Sequence, residues 1–234
     1  KIITLLYHSG WSVERIFRLC FQKMNNVKNA PGASGPTPKR APQFKEFIEA
    51  TKYLRELQSQ DALNLFFQEK DGTPYILLQI AKEGKDLEPA INFAKILNVE
   101  PSREKYVITF SPTQNEPDQI KVVTRSLLGV LFYLSQSVEA PEQDIRDGKV
   151  TRTLKNNGEA FDWRELTGKL LRIRSKSNQP KNATLMVFYR DTWFYIEDSD
   201  LNSKSTFSLL SQIFSLQAGK IKDNSPVLTL GMGQ

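Results

Sequence analysis

The chain has 234 residues, 39% of them hydrophobic and 25% charged, and a formal net charge of +6; this composition suits one large or two small globular domains and excludes a disordered tail. No run of about 18 apolar residues occurs, so no transmembrane helix is expected, the longest apolar run being LLGVLFYL at 127–134. One cysteine, Cys20, and one histidine, His8, exclude an internal disulfide and a multi-cysteine zinc site and remove the commonest general base.

The first residues, KIITLLYHSGW, contain no start methionine, charged n-region or cleavage site, and the end, LTLGMGQ, is equally abrupt. Both ends are expected to be cut, with any targeting segment or anchor upstream. Ser12 is placed to cap a helix over Val13 to Met24, where apolar residues fall at 13, 16, 17, 20, 21 and 24. Cys20 lies on that stripe and reads as a small buried hydrophobe rather than a nucleophile.

The stretch Asn29 to Pro42, NAPGASGPTPKRAP, follows. Its prolines remove backbone donors and fix φ, so neither helix nor central strand fits. The GASGPTPK portion has the wrong glycine spacing for a phosphate loop. It reads either as a pre-ordered arm for packing or partner contact, or as a plain connector.

Phe44, Phe47, Ile48, Thr51, Leu54 and Leu57 then set a helix over about Gln43 to Ser59. In LNLFFQEKDGTPYILLQI, two β-rich runs flank Asp71-Gly72, a strong hairpin signal. A helix is expected over Leu87 to Leu97. KYVITF and QIKVVT are strands joined by the polar SPTQNEPD, and Ser126 caps an apolar helix over Leu127 to Leu134. That helix has little polar face, so it is either enclosed or meets another subunit on one side.

A polar connector runs from Ser137 to Gly158. GKLLRIRS, ATLMVFYR and TWFYIED read as strands, with a tight turn at Asp191-Thr192. The last helix lies within NSKSTFSLLSQIFSLQAG, with Phe207, Leu210, Ile213, Phe214 and Gln217 inward and Gly219 at its C′ position. The expected fold class is therefore α+β: antiparallel β-hairpins alternating with helices in about three strand–strand–helix units, near 63–97, 105–136 and 183–218, the helices packed on the sheet. Two lobes, 1–138 and 139–234, or a single domain fit this order.

The chemistry-bearing patterns are few. No GxGxxG, GxxxxGK[ST], GxSxG, HExxH or CxxC occurs, so no cofactor, metal site or catalytic centre is expected. Glu197, Asp198 and Asp200 in YIEDSD could serve a hydrolase or a calcium site, but read more simply as a strand end with helix-capping acids. Charge is uneven: 146–190 holds eleven Lys or Arg against four Asp or Glu, a local +7, while the rest of the chain nets −1. Such a stretch suits an anionic polymer, nucleic acid or anionic lipid, or it is a solvated face. Trp193, Phe194 and Tyr195, with Phe188 and Tyr189, sit near Arg172, Arg174 and Arg190. Exposed aromatics there would make a stacking platform for single strands, yet no RNP-like motif occurs, and nucleic acid is not the expected partner.

The phrases YHSGWSVERIFRLCFQKMNNVKNAPGASGPTPKRAPQF, TRSLLGVLFYLSQSVEAP and TWFYIEDSDLNSKSTFSLLSQIFSLQAG resemble a bacterial family of envelope proteins that often carry a lipoprotein-type signal upstream. The chain is also similar to an accessory outer-membrane-complex component of a type IVB (Dot/Icm-type) secretion system. The resemblance implies a non-enzymatic structural part in the periplasm or at the outer membrane, with other envelope or secretion-complex proteins as partners and an outer-membrane anchor upstream. It assigns no residue a role. The partner-binding surface expected from the residues themselves takes in Pro31, Pro36 and Pro38 of the loop, Arg172, Arg174 and Arg190 of the basic stretch, and Trp193 and Tyr195 of the hairpin. The alternative is a module that binds an anionic polymer through 146–190.

Overall fold

The computed structural model describes residues 1–30, 40–110 and 117–221, with side chains to residue 217. The fold is α+β. Helices α1 (Ile2–His8) and α2 (Val13–Cys20) lead into strands β1 (Phe21–Met24) and β2 (Val27–Lys28). After helix α3 (Lys45–Ser59) come strands β3 (Leu63–Lys70) and β4 (Thr73–Ile80), helix α4 (Glu88–Leu97), and strands β5 (Lys105–Thr109) and β6 (Gln119–Thr124). These six strands form one mixed sheet in the order β2-β1-β6-β5-β4-β3.

Side chains alternate across this sheet. Leu63, Leu65, Ile76, Leu78, Tyr106, Ile108, Ile120 and Val122 are buried on one face, against Phe17, Phe47, Leu54 and Phe93 of the helical layer. On the other face, Phe66, Leu77, Val107 and Gln119 stand in one row across four strands and remain half-exposed. The β3–β4 hairpin turns at Asp71-Gly72, with φ of 51° and 72°. Both values lie in the left-handed region that a type I′ turn requires, which is why glycine suits the second position.

Two expectations change here. The strands β5 and β6 are not a hairpin: they run parallel, with Val107 opposite Gln119 and Ile108 opposite Ile120. The connection lacks the two-residue turn that pins an antiparallel pair, and β6 takes its antiparallel partner from β1 instead, Met24 opposite Val122. The helix expected to reach Met24 stops at Cys20, although its periodicity continues. Phe21 to Met24 is a strand because Asn25, at φ 47°, turns the chain back so that Met24 pairs with Val27, and because Phe21 and Met24 are wholly buried.

Helix α5 (Leu127–Ser135) starts where the Ser126 hydroxyl accepts from the Gly129 amide at 3.1 Å. Of the two readings offered for it, the enclosed one fails: Val130, Tyr133 and Leu134 are buried, but Leu128 is 68% exposed. Short helices α6 (Glu142–Arg146) and α7 (Arg164–Thr167) follow, then strands β7 (Arg174–Lys176), β8 (Ala183–Tyr189) and β9 (Thr192–Glu197) and helix α8 (Leu201–Ile221). GKLLRIRS contributes only the last part of its expected strand, because Leu170 and Leu171 are buried directly after α7. The three strands form a second, antiparallel sheet in the order β7-β9-β8.

Helix α8 continues past Gly219, so that glycine does not end it. Its buried side is also rotated from the expected one. Ser203, Thr206, Leu209 and Ile213 face inward, whereas Phe207 and Phe214 are exposed. Polar tethers fix this rotation: Trp11 Nε1 donates to Gln212 Oε1 at 2.9 Å, and Arg15 donates to Asn202 Oδ1 at 2.9 Å. A single buried cluster runs from Ile3 to Ile213.

Candidate interaction surface

The β8–β9 hairpin closes over Arg190-Asp191, with φ of 46° and 58°, and Tyr189 faces Thr192. The turn is thus one residue earlier than the sequence suggests. Register assigns the side chains to two faces. On one, Lys176, Trp193 and Phe188 form a row, and Arg174, Tyr195 and Met186 form the next. The rings of Phe188 and Trp193 lie 5.1 Å apart, and Lys176 Nζ sits 5.4 Å from the Tyr195 ring centre. The other face carries Ser175, Phe194 and Val187 in a row.

Strand β8 is an edge strand, paired only with β9 among the described residues. Leu185, Met186, Val187, Phe188 and Tyr189 are consecutive and between 39% and 60% exposed, covering both faces. The segment 183–189 contains no charge and no proline. Other edges differ: β3 ends in Glu69-Lys70, β2 in Lys28, and β7 carries Arg174 and Lys176. Charged edges of that kind discourage pairing with another strand, and β8 has no such guard.

The expected site residues separate into groups. Pro31, Pro36 and Pro38 lie outside the described residues. Trp193, Tyr195 and Arg174 share one face of the second sheet, as the hairpin reading requires. Arg172 and Arg174 are not free cations: Arg172 donates through Nε and Nη2 to Glu139 Oε1 at 2.8 and 2.6 Å, and Arg174 is 2.7 Å from Glu197. Arg190 has no carboxylate partner among the described residues; its guanidinium lies 5.4 Å from the Tyr189 ring centre.

The carboxylates of YIEDSD serve structure. Glu197 holds Arg174, and Asp198 accepts from Thr184 and Lys204, which hold its pKa below the usual range. Asp200 accepts from the Ser203 amide at 3.0 Å, in the first turn of α8. Among the described residues no group of three potential metal ligands gathers, and no helix is long and apolar enough to cross a membrane.

A polar centre not foreseen from sequence lies under α2. Arg125 is 7% exposed. Its Nη1 donates to the carbonyls of Arg18, Leu19 and Phe21, and its Nη2 to those of Asn29 and Ala30. The guanidinium stacks 4.1 Å from the Tyr133 ring centre, and burial lowers its pKa to about 10. Beside it, burial pushes the Cys20 thiol up to about 12, Arg125 opposing. A thiol so displaced is a poor nucleophile at neutral pH. An isolated basic residue ahead of a helix gives no sign of such a role; its partners are main-chain atoms, which leave no trace in residue types.

A cleft of about 1370 Å³ lies between the 135–164 segment and the second sheet. Arg146, Arg152, Lys176 and Arg190 line it, with Trp163 and Phe194 among its walls. Comparison with protein-family models, curated proteins and solved structures finds no match to this chain.

Proposed function

We propose that this protein is a non-enzymatic structural component of a bacterial envelope assembly, working through protein–protein contacts. One observation carries the contact part: β8 is an uncharged, proline-free edge strand with five consecutive exposed apolar residues. Main-chain groups along such an edge pair with a strand from a neighbour, and alternate side chains supply specificity. The exposed Leu128 of α5 and the exposed Phe207 and Phe214 of α8 add apolar surface of the same kind. The envelope part rests on the family resemblance of the sequence, which also suggests an accessory place in a type IVB secretion outer-membrane complex.

The test is the assembly mass of the native full-length protein from gently solubilised membranes, together with the identity of what co-purifies. The expected result is a large assembly containing other envelope proteins, from which Val187→Lys releases the chain. Val187 is 60% exposed, so this variant keeps the fold while placing a charge on the edge. A monomer in the soluble fraction, with nothing attached, overturns the proposal.

A further inference from the structure

We propose that the cleft between the 135–164 segment and the second sheet binds a flexible, phosphate-bearing polymer chain. Six Lys or Arg line this cleft. Two are engaged: Lys149 with Asp144 and Asp147, and Arg164 with Asp162. A third, Lys176, carries its ammonium over the Tyr195 ring, on the face of the second sheet opposite Phe194 and the cleft. The other three, Arg146, Arg152 and Arg190, are exposed and have no carboxylate partner among the described residues. Arg146 donates to the Gln143 side-chain oxygen, and Arg190 rests on the Tyr189 ring. Of the carboxylates lining the cleft, Glu139, Asp144 and Asp162 are committed to cations, which leaves Glu142.

The cleft therefore presents three unneutralised cations against one carboxylate. They come from α6, the following loop and the β8–β9 turn, three separate parts of the lining rather than one. That spacing suits successive charges on a chain better than a single anion. The concave shape suits a strand better than a flat membrane. All three are arginines, whose planar fork matches phosphate oxygens. Trp163 and Phe194 offer ring surface beside them, the combination used for single strands. The sequence pointed to Arg172, Arg174 and Arg190 within 146–190; the structure pairs the first two with Glu139 and Glu197 and brings Arg190 together with Arg146 and Arg152.

The shared chemistry is a run of phosphates, supplied by a single-stranded nucleic acid or by inorganic polyphosphate. The experiment measures binding of the purified full chain to fluorescent oligothymidylate and to polyphosphate, each over a range of salt. Polyglutamate and anionic phospholipid vesicles run beside them. Release of counterions from a single strand gives a slope of about 0.7 per neutralised phosphate, so with three cations a fourfold rise in salt weakens binding about twenty-fold. The Arg152→Gln/Arg190→Gln double variant is expected to cut that slope to about a third. Arg174→Gln, whose cation is already paired outside the cleft, leaves it unchanged. Binding of either phosphate chain with this pattern supports the proposal, and the tighter of the two identifies the source. Equal binding of polyglutamate, binding to vesicles alone, or a slope unmoved by the double variant overturns it. Val187→Lys lies outside the cleft lining, so failure here is distinguishable from failure of the assembly reading.

Discussion

A guanidinium buried as deeply as Arg125 loses its hydration, and here five main-chain carbonyls and one aromatic face replace it. Two of those carbonyls, of Arg18 and Leu19, belong to the last turn of α2, the negative end of the helix dipole. Removing the cation strands carbonyls that have no water to turn to. Arg125→Met is expected to destabilise the fold by about 3–5 kcal/mol, read as a fall in the denaturant midpoint with an unchanged slope. Arg125→Lys keeps the charge but not the fork, and falls between. The neighbouring Cys20 gives a pH signature. Its thiol moves from the ordinary 9.0 to about 12 in the folded chain. Between those values the unfolded chain releases a proton that the folded chain keeps. Stability therefore falls as pH rises above 9, by at most about 1.4 kcal/mol per unit. Arg125 runs the other way, but only from about pH 10 upward. Unfolding of the wild type and Cys20→Ala, compared between pH 9 and 10, isolates the thiol. The wild type is expected to lose stability relative to the variant, and a flat difference means the thiol is not enclosed.

At the scale of elements, the two tight hairpins show how turn chemistry sets register. Asp71-Gly72 has the residue type its left-handed second position favours, whereas Arg190-Asp191 places two non-glycine residues at positive φ. Asp191→Gly relieves that strain and is expected to stabilise the β8–β9 hairpin by about 0.5–1 kcal/mol, measured as a rise in the denaturant midpoint. That Asp-Gly hairpin was legible from the sequence, as were the Ser126 cap and the helix ending at Leu97, because each signal is local. The end of α2 was not. Periodicity alone extended that helix to Met24; a turn at Asn25 and carbonyl capping by Arg125, far along the chain, ended it. The orientation of α8 escaped for a related reason. Its apolar residues surround much of the helix, so the choice of buried side fell to the tethers from Trp11 and Arg15.

For the whole molecule, the α+β class and the threefold order of strand, strand and helix follow from patterns in the sequence. The mixed character of the large sheet does not, because nothing in the strands near 105 and 119 states whether they pair in parallel. The candidate surface was half legible. An aromatic hairpin near a basic stretch could be read off, but which cations stay free depends on the positions of Glu139 and Glu197, and those positions are tertiary. The same placement separates two surfaces: an uncharged strand edge suited to a protein neighbour, and a cationic cleft suited to a phosphate chain. They respond oppositely to ionic strength, since apolar contact persists in salt while counterion release weakens binding.

The parallel placement of β6 beside β5, with β1 on its other side, has a consequence for how the chain is made. Strand β1 is synthesised before β6, yet among the described residues its partner strands are the two-residue β2 and β6. The cation that gathers the α2 carbonyls comes 107 positions after Arg18. Until that point is synthesised, Phe17, Phe21 and Met24, all fully buried in the finished fold, have no completed sheet to enter. The segment from α2 to β2 thus stays open, exposed to whatever holds nascent apolar segments, until residues 119–125 arrive to close it.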